Sequence, residues 1–180
     1  MRGWRLALAP VAVIAVVGLA IAFLGAGGGG NAHRSGKHPQ VSTFTAADRS
    51  FSVAYPAGWH ATAVGQGAGL IERADHRGLV LVRERPALRG KLSTLVKDLP
   101  AQLRKRFSDF RPVGASVARL STGPAVVYTF VRAKTNRVQS IVVAPAPAAH
   151  RSFTLEVAAP AKAADAVRQA GEIVRSLVAR

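Results

Sequence analysis

Hydrophobic positions change period four times along this chain. Leu6 to Ala26 is an unbroken run of 21 uncharged, mostly apolar residues preceded by Arg2 and Arg5. A helix of that length rises about 31 Å, enough to cross the hydrocarbon core of a bilayer. From Val41 the period drops to two. Phe51, Val53 and Tyr55 alternate with Ser52 and Ala54, and Thr43 to Thr45 precede them across Ala47-Asp48-Arg49-Ser50, so a hairpin is predicted. Tyr55-Pro56-Ala57-Gly58 reads as a type I turn, with Trp59 folding back onto the core. Leu70 to Arg73 and Leu79 to Glu84 form a second strand pair. The period then becomes helical: Leu92, Leu95, Leu99, Leu103 and Phe107 predict a helix from Leu92 to Phe107. Ser93 or Thr94 is its expected cap, and Pro100 its expected kink or restart.

Strands are predicted at Ala115 to Leu120, Ala125 to Arg132, Arg137 to Val143 and Ser152 to Ala158. Ala144 to His150, with Pro145 and Pro147, reads as an extended loop. In the last strand Phe153, Leu155 and Val157 face inward, while Ser152, Thr154 and Glu156 face water. An amphipathic helix from Ala161 to Ala179 closes the chain. The sum is α+β, an antiparallel sheet with a mid-chain and a C-terminal helix.

These periods divide the chain into a membrane anchor at 1–26, a glycine-rich linker at 27–42 and one domain at 43–180. The apolar run exceeds the roughly 7–15 residues of a secretory signal core, which favours an uncleaved signal-anchor. Ala20-Ile21-Ala22 and Leu24-Gly25-Ala26 nonetheless offer small-x-small cleavage sites. The chain has no cysteine, so it cannot be acylated there, and attachment falls to the helix itself. Arg2 and Arg5 hug the helix, whereas Arg34 and Lys37 lie beyond a glycine spacer. The positive-inside rule then places the domain on the extracytoplasmic side of a single-pass span.

Charge adds a partner class. The chain carries 25 Lys+Arg against 9 Asp+Glu, net +16. Such a surface attracts anionic lipid or acidic wall polymer. A GC-rich genome, with arginine well ahead of lysine, produces the same imbalance without selection for binding. The densest cluster is Arg104-Lys105-Arg106, with Arg111 beyond; these four are the candidate anionic contact. Arg83 and Arg85 share one side of their strand and add to it. Nucleic acid is not expected, because no stacking platform or recognised motif accompanies the charge.

Catalytic and cofactor signals are weak. Gly65-Gln66-Gly67-Ala68-Gly69 opens no helix with dinucleotide-binding spacing and reads as a loop. Asp75-His76 lies in a turn with no Gly-x-Ser-x-Gly elsewhere. His33 and His38 are linker residues, and His60 and His150 flank strands. No catalytic residue, metal ligand or cofactor site is expected.

The run Phe51-Ser52-Val53-Ala54-Tyr55-Pro56-Ala57-Gly58-Trp59 resembles the opening signature of the PsbP-like superfamily, which includes PsbP, the Mog proteins and exported LpqN-type proteins of actinobacteria. The end of the chain fits as well: Ser152 to Val157 as last strand, Ala159-Pro160, and a helix ending Ile173-Val174-Arg175-Ser176-Leu177. The resemblance implies an α/β/α sandwich around a twisted antiparallel sheet, and proteins that bind or stabilise others rather than catalyse. The expected function is therefore a membrane-tethered, extracytoplasmic, non-catalytic binding or assembly module of the cell envelope, with an envelope protein, anionic lipid or wall polymer as partner. The competing readings are an envelope enzyme acting on an anionic substrate and a periplasmic binder using a pocket between sheet and helix.

Overall fold

The computed structural model describes residues 40–180; the predicted anchor and residues 27–39 of the linker lie outside the described residues. Among the described residues no helix is long and apolar enough to cross a membrane.

The first hairpin pairs β1 (Val41–Thr45) with β2 (Phe51–Pro56), Thr45 opposite Ser52. Its connection is held by Asp48, whose Oδ1 accepts from the Ser50 N–H at 3.0 Å and from the Ser50 hydroxyl at 2.7 Å. Gly58, at φ +81°, then turns the chain out of this small sheet and into a larger one. That sheet has seven antiparallel strands. Two meanders build it: β3 (Trp59–Ala63), β4 (Ala68–Arg73) and β5 (Leu79–Pro86), then β6 (Phe110–Leu120), β7 (Gly123–Arg132), β8 (Arg137–Ala146) and β9 (Arg151–Pro160). The spatial order is β3-β4-β5-β9-β8-β7-β6, so the β5–β9 ladder joins the meanders.

Helix α1 (Leu92–Arg106) connects them across one face; α2 (Ala164–Arg175) and the small sheet cover the other. Strand alternation sorts the core. Val80, Val82, Val127, Val142, Phe153 and Leu155 face α2, where they meet Phe51, Val53, Ile173, Val174 and Leu177. Tyr128, Phe130, Ile141 and Val143 face α1 and meet Leu99 and Leu103. This is the expected α/β/α layering around an antiparallel sheet.

Five features differ from the periodicity. α1 runs through Pro100 without a restart, because Leu99 and Leu103 on either side are buried against one face of the sheet. Its N-cap is Lys91, with no side-chain cap from Ser93 or Thr94. β6 begins at Phe110 rather than Ala115; it is an edge strand, so Pro112 costs no ladder bond, and a bulge between Pro112 and Gly114 absorbs the irregularity. β8 runs on to Ala146: beyond Val143 it has no β7 neighbour, so Pro145 pairs only with β9. The last helix ends at Arg175, and Val178–Ala179 form a short strand β10 against β2. Ser176 marks the break. Its Oγ accepts from the Ala54 N–H at 2.8 Å and lies 2.7 Å from the Ile173 carbonyl, tying the helix end to β2.

Trp59 is buried, as the signature turn predicts. Its Nε1–H donates to Gln169 Oε1 on α2 at 3.0 Å. Its ring lies over Gly78, where a Cβ would stand 2.5 Å from Cη2. The glycine-rich run is the β3–β4 loop. Gly69 sits under the Phe44 ring, where a Cβ would come within 2.3 Å, so the glycine there serves packing.

Candidate functional site

The face of the sheet that carries α1 is only partly covered by it. α1 packs over β7 and β6, its Leu99 and Leu103 reaching Ile141 and Val143 of β8, and on β5 and β9 the residues of that face line what remains: Arg83 and Arg85 on β5, Ser152, Thr154 and Glu156 on β9. Between these strands and the helix runs a groove enclosing a cavity of about 60 Å³, partly open to solvent. Leu95, Leu99, Leu103, Ile141 and Val143 supply apolar walls; Arg85, Arg106 and Glu156 supply charge.

The charges there are unevenly paired. Glu156 faces Arg83 Nη1 and Arg106 Nη2, each at 3.5 Å. The second contact ties the end of α1 to β9. Arg85 has no ion pair among the described residues, and its Nε is buried without a hydrogen-bond partner. The Ser152 hydroxyl beside it donates to the Pro86 carbonyl at 2.8 Å. A buried guanidinium nitrogen left unpaired is costly, because the group has lost water without gaining an acceptor.

The four candidate cations lie at one end of this face, all exposed. Arg104, Lys105 and Arg106 form the last turn of α1. Phe107 and Phe110 both pack on Phe130, with centroids 5.7 and 5.2 Å apart, which brings that turn beside the start of β6 where Arg111 stands. The Arg104 guanidinium sits 6.0 Å from the Phe110 ring centroid, and that of Arg106 sits 4.9 Å from the Phe107 ring centroid. Arg106 is thus turned partly toward Glu156, whereas Lys105 and Arg111 point to no partner among the described residues. Three cations in a last turn also offset the negative end of the helix dipole.

Below this edge Asp109 is buried and anchors the β6–β7 end of the sheet. Its carboxylate accepts from Arg132 Nε at 2.5 Å and from the Lys134 N–H at 3.1 Å. Burial pushes the carboxyl up, but the bonds from Arg132 and Lys134 outweigh it and hold it below the usual aspartate value. Arg132 lies over the Phe107 ring at 4.3 Å, so the same pair braces the end of α1. Burial also raises the Tyr128 phenol.

The other titratable candidates stay apart. His76 is exposed and pairs with Glu72 at 2.7 Å, which raises the imidazole. Asp75 instead faces Arg73 at 3.3 Å. His60 and His150 are exposed. Among the described residues no three His, Asp or Glu side chains converge as metal ligands.

The sequence placed Arg83 and Arg85 together, and Ser152, Thr154 and Glu156 on one face. It did not show that α1 turns both sets into the lining of a groove, where Ser152 is buried rather than facing water, or that Glu156 is shared by Arg83 and Arg106 while missing Arg85. The available signal was parity alone: both sets occupy outward positions of strands that prove to be neighbours.

No protein-family model matches the sequence, and no curated protein matches it. Solved structures do match. The cyanobacterial PsbP of Synechocystis sp. PCC 6803 superposes with a TM-score of 0.58 at 12% identity, over 84% of this chain and 98% of that one. The Ran-binding protein Mog1p of Saccharomyces cerevisiae gives a TM-score of 0.56 at 9% identity, over 79% and 96%. LpqN of Mycobacterium tuberculosis, a protein involved in cell envelope biogenesis, gives 0.48 at 18% identity, over 77% and 89%. The fold is therefore PsbP/Mog-like, as the turn signature implied.

Proposed function

We propose that this chain is a membrane-tethered, extracytoplasmic binding module of the cell envelope, which uses the basic end of its α1 face to hold an anionic partner and performs no chemistry on it. The fold leaves the function open, since one fold serves many activities. The reading rests on one observation: Arg104, Lys105, Arg106 and Arg111 are all exposed and gathered where α1 meets β6. The Leu6 to Ala26 run would hold this edge near a membrane surface, where anionic headgroups and acidic polymers are concentrated.

Each basic residue close to an anionic bilayer is worth about 1 kcal/mol, and the attraction decays within a Debye length of about 8 Å at physiological salt. The test is co-sedimentation of the segment from Val41 to Arg180 with anionic and neutral vesicles across a salt series. Binding should be confined to anionic vesicles and should fall steeply with salt. Replacing all four residues by glutamine should remove most of it and leave thermal stability nearly unchanged. Equal binding before and after that change would reduce the cluster to a solvated helix end.

A further inference from the structure

We infer that the groove between α1 and the β5–β9 ladder is a binding site for a single-chain aliphatic carboxylate, with the carboxylate on Arg85 and the alkyl chain running along the helix. This site adjoins the surface contact proposed above and shares Arg106 with it, but its own cation, Arg85, is not among the four exposed ones.

Two observations meet in the groove. Its walls are aliphatic, with Leu95, Leu99, Ile141 and Val143 around a cavity of about 60 Å³ that opens to solvent. Only a few methylene groups fit inside, so a longer chain would continue along the open part. At its margin stands an uncompensated cation. Glu156 is the carboxylate there, and Arg83 and Arg106 already flank it at 3.5 Å. Arg83, Arg85 and Arg106 against the single carboxylate of Glu156 leave an excess of positive charge here, and of the three guanidiniums only Arg85 has no carboxylate beside it. No protein group among the described residues accepts from the buried Nε of Arg85, which leaves it open to an acceptor entering the groove. A carboxylate supplies that acceptor and matches the planar edge of a guanidinium. A neutral alcohol or amide fills the same walls but brings no charge. A free inorganic anion satisfies Arg85 but leaves the walls wet.

Alkyl chain and carboxylate must therefore contribute together, and the experiment separates them. The full chain is reconstituted in nanodiscs of neutral lipid, with isotope-labelled Ile, Leu and Val methyl groups. It is titrated with sodium octanoate, with octanamide and with acetate. Octanoate should shift the methyl resonances of Ile141, Val143, Leu99 and Leu103 saturably. Octanamide and acetate should each bind at least about tenfold more weakly, the loss expected for one charge-assisted hydrogen bond or for several buried methylenes. Arg85→Leu should weaken octanoate by a similar factor and octanamide by much less. It should also leave binding of the full chain to anionic vesicles intact, which separates this site from the surface cluster. Equal affinities for octanoate and octanamide in the unaltered chain would overturn the proposal whether or not the variant folds. So would octanoate shifts confined to residues outside the groove, or no saturable shift. Retention of octanoate affinity in a folded Arg85→Leu chain would do the same.

Discussion

Trp59 and Gly78 should behave as one unit, and a double-mutant cycle measures it. The indole is buried, and its outer atoms occupy the space that a side chain at position 78 would need: a Cβ there would stand 2.5 Å from Cη2 and 2.9 Å from Cζ2. Gly78 does not have a positive φ, so alanine is allowed by the backbone and excluded only by the ring. Gly78→Ala alone should therefore cost about 1–3 kcal/mol through overpacking. Trp59→Phe alone removes the bond to Gln169 and part of the packing, costing about 1–2 kcal/mol. In the Trp59→Phe background the obstructing atoms are gone. Alanine at 78 should then be nearly neutral, or stabilising by about 0.4–1 kcal/mol through the unfolded chain. The expected coupling is about 1–3 kcal/mol, well above the roughly 0.3–0.5 kcal/mol within which independent sites add. Trp59→Ala, which leaves a cavity, should cost about 3–5 kcal/mol. The assay is urea unfolding followed by far-ultraviolet circular dichroism, since tryptophan emission is altered by design. Additive single and double variants would refute the packing argument. A folded Trp59→Ala chain of unchanged stability that had lost only partner binding would move Trp59 to the functional surface.

Three further outcomes test other parts of the structure. Asp109 titrates below its unfolded value, so its contribution is present above about pH 4 and is lost as pH falls through the lower, folded value; Asp109→Asn should flatten the acid limb of the urea midpoint against pH, and an unchanged limb would place acid sensitivity elsewhere. Ser176→Ala removes the acceptor of the Ala54 N–H and should cost about 1–2 kcal/mol, read as faster hydrogen exchange at Ala54 and along β10; unchanged protection would mean that β10 holds the helix end by itself. Val13→Arg should cost membrane insertion about 2.5–3.5 kcal/mol and release the chain on carbonate extraction; a mature N-terminus near Gly27 in a soluble fraction would show instead that Leu6 to Leu24 is removed.

Elements with one dominant period were legible: β2, β9 and both helices follow from alternation or from the i, i+3, i+4 stripe. The Phe51 to Trp59 run carried the fold because its proline and glycine fix a turn and its aromatic ends fix a core. What escaped was set by neighbours rather than by local preference. Pro112 and Pro145 read as breaks, yet each lies where one side of its strand has no partner, a fact of sheet order that no local window contains. β10 was hidden inside a good helical pattern: Leu177 continues the apolar stripe, but β2 offers Val178 and Ala179 a ladder edge, and Ser176 releases the helix to reach it.

The same limit governs the site. A charge count cannot distinguish a cation that decorates a surface from one that waits for a ligand, because both contribute equally to the net charge. Pairing and burial distinguish them. Lys105 and Arg111 are exposed, so leaving them unpaired costs little, and genomic bias can place such residues freely. Arg85 has a buried nitrogen with no acceptor, an arrangement that is costly in any composition. Its isolation depends on two non-local events: β5 pairing with β9, which sets Arg83 close enough to Glu156 to engage it, and α1 settling over β7 and β6, which delivers Arg106 to the same carboxylate. Composition can therefore account for the exposed cluster without any selected function, but not for the unpaired nitrogen in the groove. Of the two sites, the groove is the one that holds a buried cationic nitrogen with no protein acceptor among the described residues.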